Sequence, residues 1–443
     1  MNAEKQVYDV IGIGLGPFNL GMAALLDPVE DVSALFLEKE EEFNWHPHML
    51  IEGTTLQVPF FADLVSMADV TSKHSFLHYL QQHNRLYHFY FLEKFHIPRK
   101  EYNHYCRWVS ERVDSCRFSS EVTQVTTIPV EGETVYQVTA EDLQTGREYR
   151  YLAKHVVMGI GTEPRVPEAF QAALGESVFH TSEYLARKPD CDLGQSVAVI
   201  GSGQSAAEVF LDVAKYQEER GGSLEWYTRS PGFFPMEYSK LGLEYFSPDY
   251  IDFFYELPQV KKDQLLNEQD LLYKGISSET IAEIYDHLYE RTVGNADPGI
   301  HLQAMTELKE IEQQGHNFRL SGYQKVTGEP VEVEADVVIL GTGYQPRVPA
   351  FFKEMNEAII WDEYGRFVVN KGYDLATRLQ TAGEIFIQNG ELHTHGVGAP
   401  DLGLGAHRNA VIINQIAGRK VYSVEEKHVF QTFGTKKQPV PIY

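Results

Sequence analysis

Two segments of this chain carry the same local plan. "YDVIGIGLGPFNLGMAALL" (8–26) and "SVAVIGSGQSAAEVF" (196–210) each read as a short apolar strand, a Gly-x-Gly turn and the start of a helix. No other feature of the sequence constrains the fold as much. A strand that turns sharply into a helix leaves unpaired N–H groups at the helix N-terminus, where the helix dipole also favours negative charge. Glycine is needed where the turn is tight and where an anion must approach the backbone. Each segment is therefore a candidate seat for a pyrophosphate.

In the first segment Tyr8–Ile13 form the expected strand, Gly14-Leu15-Gly16-Pro17-Phe18-Asn19 the turn, and a helix begins near Leu20. Gly14 permits the turn, Gly16 admits the phosphate, and Asn19 stands where the fingerprint's third glycine would be. The next strand, "ALFLEKE" (34–40), contains Glu38, placed to accept a ribose hydroxyl about twenty residues on. The second segment repeats the logic with Gly201-Ser202-Gly203-Gln204-Ser205-Ala206. Its following strand, "LEWYTRS" (224–230), runs out in Thr228-Arg229 instead of an acid. An arginine there suits a 2′-phosphate, hence NADPH over NADH, although a solvated surface arginine is the competing reading.

Two further stretches resemble each other, "VVMGIGTEPRVP" (156–167) and "VVILGTGYQPRVP" (337–349), each a buried strand returning the chain into a nucleotide-binding sheet. The plan that follows is α/β, with two Rossmann-like dinucleotide-binding domains, the NADPH domain inserted in the FAD domain. Its expected boundaries are 1–167 and 336–443 for the FAD domain and 168–335 for the NADPH domain. Two dinucleotides in one chain imply electron transfer between them, from diffusible NADPH to bound, redox-active FAD.

Composition narrows the acceptor and the partners. The formal charge of −25, from 38 basic and 63 acidic residues, argues against nucleic acid or an anionic membrane surface and mildly favours a cationic substrate. Cys106, Cys116 and Cys191 form neither a redox pair nor a zinc spacing, so a disulfide acceptor is excluded and a reduced compartment fits. His46-x-His48 and His393-x-His395 have no accompanying third ligand cluster, and no metal is expected. No charged-then-apolar leader precedes the first strand, and the longest apolar stretch, 10–26, is broken by glycines, Pro17 and Asn19. A cytoplasmic, membrane-free protein is expected. The stripe Ile281, Ile284, Tyr285, Leu288, Tyr289 has helical spacing and reads as core, and 98–113 reads as a helix whose aromatics pack.

Several stretches together carry a family resemblance. They are the first turn ending in Asn19, "NWHPHML" (44–50), "LQVPFFADL" (56–64), "FHTSEY" (179–184), the turn at 201–206, Asp336 with "LGTGY" (340–344), and "THGVGAPDLGLGAHR" (394–408). In content and order they resemble the microbial flavin-dependent N-hydroxylating monooxygenases of hydroxamate siderophore biosynthesis, and among these the putrescine and cadaverine enzymes. The resemblance spans nearly the whole chain. It departs at Gly341, where the family more often has alanine. It implies FAD and NADPH as cofactors, O₂ activation through a flavin C4a-hydroperoxide, and a homo-oligomer, a tetramer by likeness. It also implies that Trp45, His46 and Met49 line the flavin, that Gln57 lies at its reactive face as the catalytic amide, and that Gly343, Tyr344 and Leu404 contact cofactor.

The substrate reading turns on two absences. Amino-acid hydroxylases of this family carry a lysine for the substrate carboxylate where this chain has Ala62, and a serine where it has Gly403. A carboxylate desolvated without its partner is disfavoured by about 3–5 kcal/mol. A diamine has no carboxylate to strand, and its far ammonium would want an acid, for which Asp401, Glu237 and Asp63 are candidates. The expected function is therefore diamine N-hydroxylation. An L-lysine N6-hydroxylase is the alternative, if an arginine from elsewhere compensates, and a non-catalytic flavin/NADPH redox sensor is a distant third.

Overall fold

The computed structural model describes residues 6–189, 191, 195–220, 222–424 and 427–435; the outer ends of the expected first domain, 1–5 and 436–443, lie outside them. The first sheet opens with β1 (Val7–Ile13), parallel to β2 (Ala34–Leu37), which in turn pairs with β3 (Cys116–Arg117). The long strands β4 (Ser120–Val130), β5 (Glu133–Asp142) and β6 (Arg147–Met158) form an antiparallel meander, and β6 runs back parallel to β1. Between β1 and β2 lies α1 (Pro17–Leu26). It starts earlier than Leu20 because proline, lacking an N–H, is at home in the first helical turn.

The chain leaves the first sheet through β7 (Thr162–Pro164) and enters a second, built from β8 (Val178–His180), β9 (Ser196–Ile200), β10 (Ser223–Tyr227) and β11 (Ile300–Gln303). A three-stranded antiparallel sheet of β12 (Thr306–Gln314), β13 (Asn317–Gln324) and β14 (Pro330–Ala335) follows. Next, β15 (Val337–Leu340) slots between β8 and β9, giving the all-parallel order β11-β10-β9-β15-β8. The second unit therefore reaches Leu340, beyond the expected boundary at 335. Asp336 secures this junction by accepting the N–H and hydroxyl of Ser196 at 3.0 and 2.7 Å. From there β16 (Tyr344–Pro346) pairs antiparallel with β7 as a two-stranded link, and β17 (Ile385–Ile387) returns beside β6. The second unit is thus an insertion in the first. Both sheets carry core on two faces, so their parallel central strands bury continuous apolar runs such as Val10–Ile11 in β1 and Val337–Leu340 in β15.

Five more helices matter for the site: α2 (Leu86–Leu92), α3 (Arg99–Ser110), α4 (Gln204–Arg220), α5 (Ser278–Arg291) and α6 (Gly405–Ile416). In α3 the aromatics Tyr102, Tyr105 and Trp108 are core, as expected. In α5 the expected core stripe is narrower: Ile284 is buried and Ile281 and Leu288 pack beside it, but Tyr285 and Tyr289 are 66% and 68% exposed. At about 100° per residue, 281, 284 and 288 share one face and the tyrosines fall off its edge. The units are clamped by Arg99 at the start of α3, which donates to both carboxylate oxygens of buried Glu208 on α4 at 2.9 and 2.7 Å. Among the described residues, no helix is long and apolar enough to cross a membrane.

Candidate functional site

Each nucleotide turn has the shape its glycines predict. Gly14 has φ +81°, and a Cβ there would stand 2.7 Å from the Gly159 carbonyl at the end of β6; at Gly201, with φ +135°, a Cβ would stand 2.0 Å from the Gly341 carbonyl. Gly16 caps α1 without a side-chain hydrogen bond, and no acid occupies the first turn, so the helix N-terminus is left to an anion. Beside Gly16 and Gly203 the nearest protein atoms to a built Cβ are carbonyl oxygens at 4.0 Å. Pro17 and Ser205 each lie in the first turn of a helix. The two cradles fit a dinucleotide pyrophosphate each.

Asn19 explains its own departure from the fingerprint. Its buried amide donates to the Gly14 carbonyl at 2.7 Å and accepts from Gln388 at 2.7 Å, bracing the turn against the segment after β17. Glu38, just past β2, accepts the Leu15 N–H at 2.7 Å and the Glu40 N–H at 3.0 Å, and its carboxylate retains acceptor capacity for a hydroxyl. In the second turn Ser202 lies 3.0 Å, hydroxyl to hydroxyl, from Ser230, which brings the turn beside exposed Arg229. Gln204 departs from expectation. Its amide donates to Glu208 and Thr280 at 2.9 and 3.0 Å and accepts from Ser277 at 2.7 Å, so its side chain braces the turn from below. The glycine at 341 also has a cause: a Cβ would stand 2.5 Å from that of Ala206 on α4.

Between the turns runs a chain of rings. Trp45 meets His46 at 4.9 Å, His46 meets Tyr344 at 5.9 Å, and Tyr344 meets His180 at 5.1 Å. His46 sits in the left-handed region (φ 49°), which turns its ring toward β16, and Trp45 is pinned through its N–H to Asn103 at 2.7 Å. The protein atoms crowding His46, with Arg99 nearby, lower its pKa to about 4, although part of its surface stays open. It is neutral at pH 7. His180, not singled out from sequence, bonds to the carbonyl of Gly343, whose φ is +83°. Met49 does not line this cleft. It is 3% exposed and packs with Ile51, Phe179 and Tyr184 in the core of the second unit, because the 44–57 loop docks there.

A second cluster gathers the specificity residues. Ala62 is 5% exposed, and a Cβ built on Gly403 would stand 3.8 Å from that of Ala62 and 2.9 Å from Asp401 Oδ1. Asp401 forms no closed cap bond with the short helical turn that follows it. Burial raises its pKa to about 6, against the pull of the Gly403 and Leu404 N–H groups and of Arg408. Arg408 is itself committed: fully buried, it pairs with Glu391 at 3.1 Å and donates to the Ala399 carbonyl at 2.6 Å. Tyr238, missed from sequence, donates its hydroxyl to the Gln57 carbonyl and feels the charge of Asp401, so it ties Gln57 to this cluster. The Gln57 amide rests against Met236 Sδ at 3.9 Å.

Two acids fall away from the cluster. Glu237 is exposed and caps its own turn through the Ser239 N–H at 2.7 Å; its alternation with buried Met236 points it to solvent. Asp63 is buried but accepts the N–H groups of Phe76 and Ser66 at 2.8 and 2.7 Å, a structural brace. The side chain of Leu404 is buried, so only its main chain faces the start of α6. His393 bonds to the Phe367 carbonyl at 2.7 Å and His395 stacks on Tyr373.

Comparison with known proteins places this geometry. The family described as L-lysine 6-monooxygenase/L-ornithine 5-monooxygenase matches residues 6–346. A putrescine N-hydroxylase of Shewanella oneidensis is 42% identical over 99% of this chain and 87% of its own. The rhizobactin siderophore biosynthesis protein RhbE of Rhizobium meliloti is 44% identical over 96% of this chain and 95% of its own. Among solved structures, DfoA bound to FAD, the cadaverine monooxygenase of desferrioxamine biosynthesis from Erwinia amylovora, is 40% identical. It superposes with a TM-score of 0.93 over 98% of this chain and 100% of that one.

Proposed function

The chain belongs to the L-lysine 6-monooxygenase/L-ornithine 5-monooxygenase family, and from that premise we propose that it hydroxylates one terminal amine of putrescine or cadaverine, using NADPH and O₂, as a step in making a hydroxamate siderophore. The observation that carries the substrate is the cluster at Ala62, Gly403 and Asp401: it offers no cation and no hydroxyl to an amino-acid head, and presents a carboxylate instead.

FAD would be held by the first turn (Gly14, Gly16, Pro17 and Glu38, braced by Asn19), with Trp45, His46, Tyr344, Gly343 and the Leu404 main chain along the cleft. NADPH would be held by Gly201, Ser202, Gly203 and Ser205, with Arg229 as the cation for its 2′-phosphate. Bound FAD, reduced by NADPH, supplies the oxygen activation that no side chain here can. The residues bind, orient and exclude water. Gln57, on the loop that joins the ring chain to the specificity cluster, orients the reacting end through its amide. The attacking amine must be neutral, which costs about 4.6 kcal/mol at pH 7 for a group of pKa about 10.4. A dry, apolar surround such as Ala62 and Met236 offsets part of this by lowering the ammonium pKa.

Cys106 and Cys116, each a free thiol, support a reducing, cytoplasmic setting. A homo-oligomer is supported by α2, on which Tyr87, Tyr90 and Phe91 are 77%, 72% and 71% exposed, a face that a second copy would cover. The reaction class is tested by incubating the FAD-loaded enzyme with NADPH, ¹⁸O₂ and putrescine. One labelled oxygen in the hydroxylamine product supports the reading; NADPH consumption with no labelled product contradicts it.

A further inference from the structure

We propose that Asp401 is the seat of the diamine's second, unreacting ammonium group, that Gly403 keeps its carboxylate uncovered, and that Tyr238 sets its place relative to Gln57. This rests on the diamine reading of the site.

Three observations lead there. The first is that Asp401 is a crowded carboxylate met by the N–H groups of Gly403 and Leu404 but not by a cation of its own, since Arg408, the cation that acts on it, is engaged by Glu391 and by backbone carbonyls. A carboxylate in such surroundings is stable only with a counter-charge, and a primary ammonium brings three donors to it. The second concerns Gly403. A Cβ there would press against Asp401 Oδ1 at 2.9 Å, so any side chain at 403 displaces or covers the carboxylate. Glycine at 403 and aspartate at 401 are thus one device. The third is the bond from Tyr238 to the Gln57 carbonyl: the same tyrosine feels the charge of Asp401, so it links the binding end to the reacting end.

The device excludes amino acids twice. An α-carboxylate reaching Ala62 finds no cation, and it also meets the like charge of Asp401. A simple monoamine has nothing to offer Asp401, so Asp401 separates diamines from monoamines, which a missing lysine at 62 cannot do.

The experiment compares putrescine with butylamine in the FAD-loaded enzyme and its Asp401→Asn, Asp401→Glu and Gly403→Ser variants. Hydroxylamine product gives kcat/KM, and calorimetric titration of the oxidised enzyme gives a binding constant independent of turnover. Loss of one partner of a buried charge pair predicts that Asp401→Asn lowers the putrescine-to-butylamine ratio by at least about 30-fold, in kcat/KM and in affinity alike. Gly403→Ser should move the ratio in the same direction, and Asp401→Glu, which keeps the charge, should retain a preference for putrescine. If both amines fall in parallel in Asp401→Asn, or the ratio is unchanged, Asp401 is structural and the inference is overturned. If the unaltered enzyme gives no product with any diamine, the diamine reading itself fails, and the inference with it.

Discussion

At residue scale the account rests on three neighbours drawn from distant parts of the chain, Ala62, Asp401 and Gly403, whose side chains or lack of them meet at one point. Restoring a lysine at 62 alone would let it pair with Asp401 and would abolish diamine turnover without creating an amino-acid site. Combining Ala62→Lys with Asp401→Asn should instead raise L-lysine turnover relative to putrescine by about two powers of ten, read as hydroxylated product with the two substrates supplied separately. The same carboxylate gives a pH signature. Its pKa is raised to about 6, so the ionised form is present above that pH and is lost as pH falls through it. The charged or titratable groups facing it are Arg408 from α6 and Tyr238 from the loop after β10, whose pKa burial raises further. Putrescine kcat/KM should therefore show two limbs: an upper one that rises about tenfold per pH unit from 6 towards 9 as the reacting amine loses its proton, and a steeper lower one below 6, about a hundredfold per unit, where Asp401 is protonated as well. In Asp401→Asn the extra steepness of the lower limb should vanish and the upper limb should remain.

At the scale of elements, the site is made by turns and by the loops that dock one unit on the other. The strand-turn-helix cradles were legible from sequence because glycine leaves a local signature where φ is positive, as at Gly14 and Gly201. What sequence could not show was commitment. Gln204 and Asn19 look like ligand contacts by position, yet their amides bind protein partners contributed by Ser277, Thr280 and Gln388, which are remote in sequence. Tyr238 was invisible for the same reason: it acts through Gln57, which only the docking of the two units supplies, whereas His180, within the stretch 179–184, meets Gly343 just past β15, the strand beside its own. Arg229, exposed beside Ser202 and Ser230, should confer the nucleotide preference. Arg229→Ala should raise the KM for NADPH by about 10- to 100-fold and leave that for NADH nearly unchanged, measured as the rate of flavin reduction. Across the same junction, Glu208→Ala leaves Arg99 buried and unpaired and should destabilise the protein by about 3–5 kcal/mol in denaturant titrations.

On the scale of the whole molecule, the two strand-turn-helix segments and the two similar return strands pointed to two nested units, and the handover between them lies at β15. The strand β15 returns to the second sheet, and its apolar run is the same in either unit; pairing with β8 and β9, not composition, decides where it belongs. The net charge of −25 has a use at this scale, since it raises the local concentration of a dicationic substrate. The effect should weaken with salt: kcat/KM for putrescine should decline between 50 and 500 mM NaCl more steeply than kcat does. The aromatic face of α2 predicts a self-associated protein in sedimentation velocity, and replacing Tyr87 and Phe91 by serine should shift it to a smaller species.

The central claim is that the site selects a diamine over an amino acid. Its most direct test is a competition in which the FAD-loaded enzyme receives NADPH and an equimolar mixture of putrescine, cadaverine, L-ornithine and L-lysine, with each hydroxylamine quantified by mass spectrometry. The account predicts that N-hydroxylated diamine dominates the products and that hydroxylated amino acids stay at or below about one part in a hundred. Predominance of N6-hydroxylysine would contradict it, and would mean that the substrate carboxylate finds a cation away from Ala62 and Gly403.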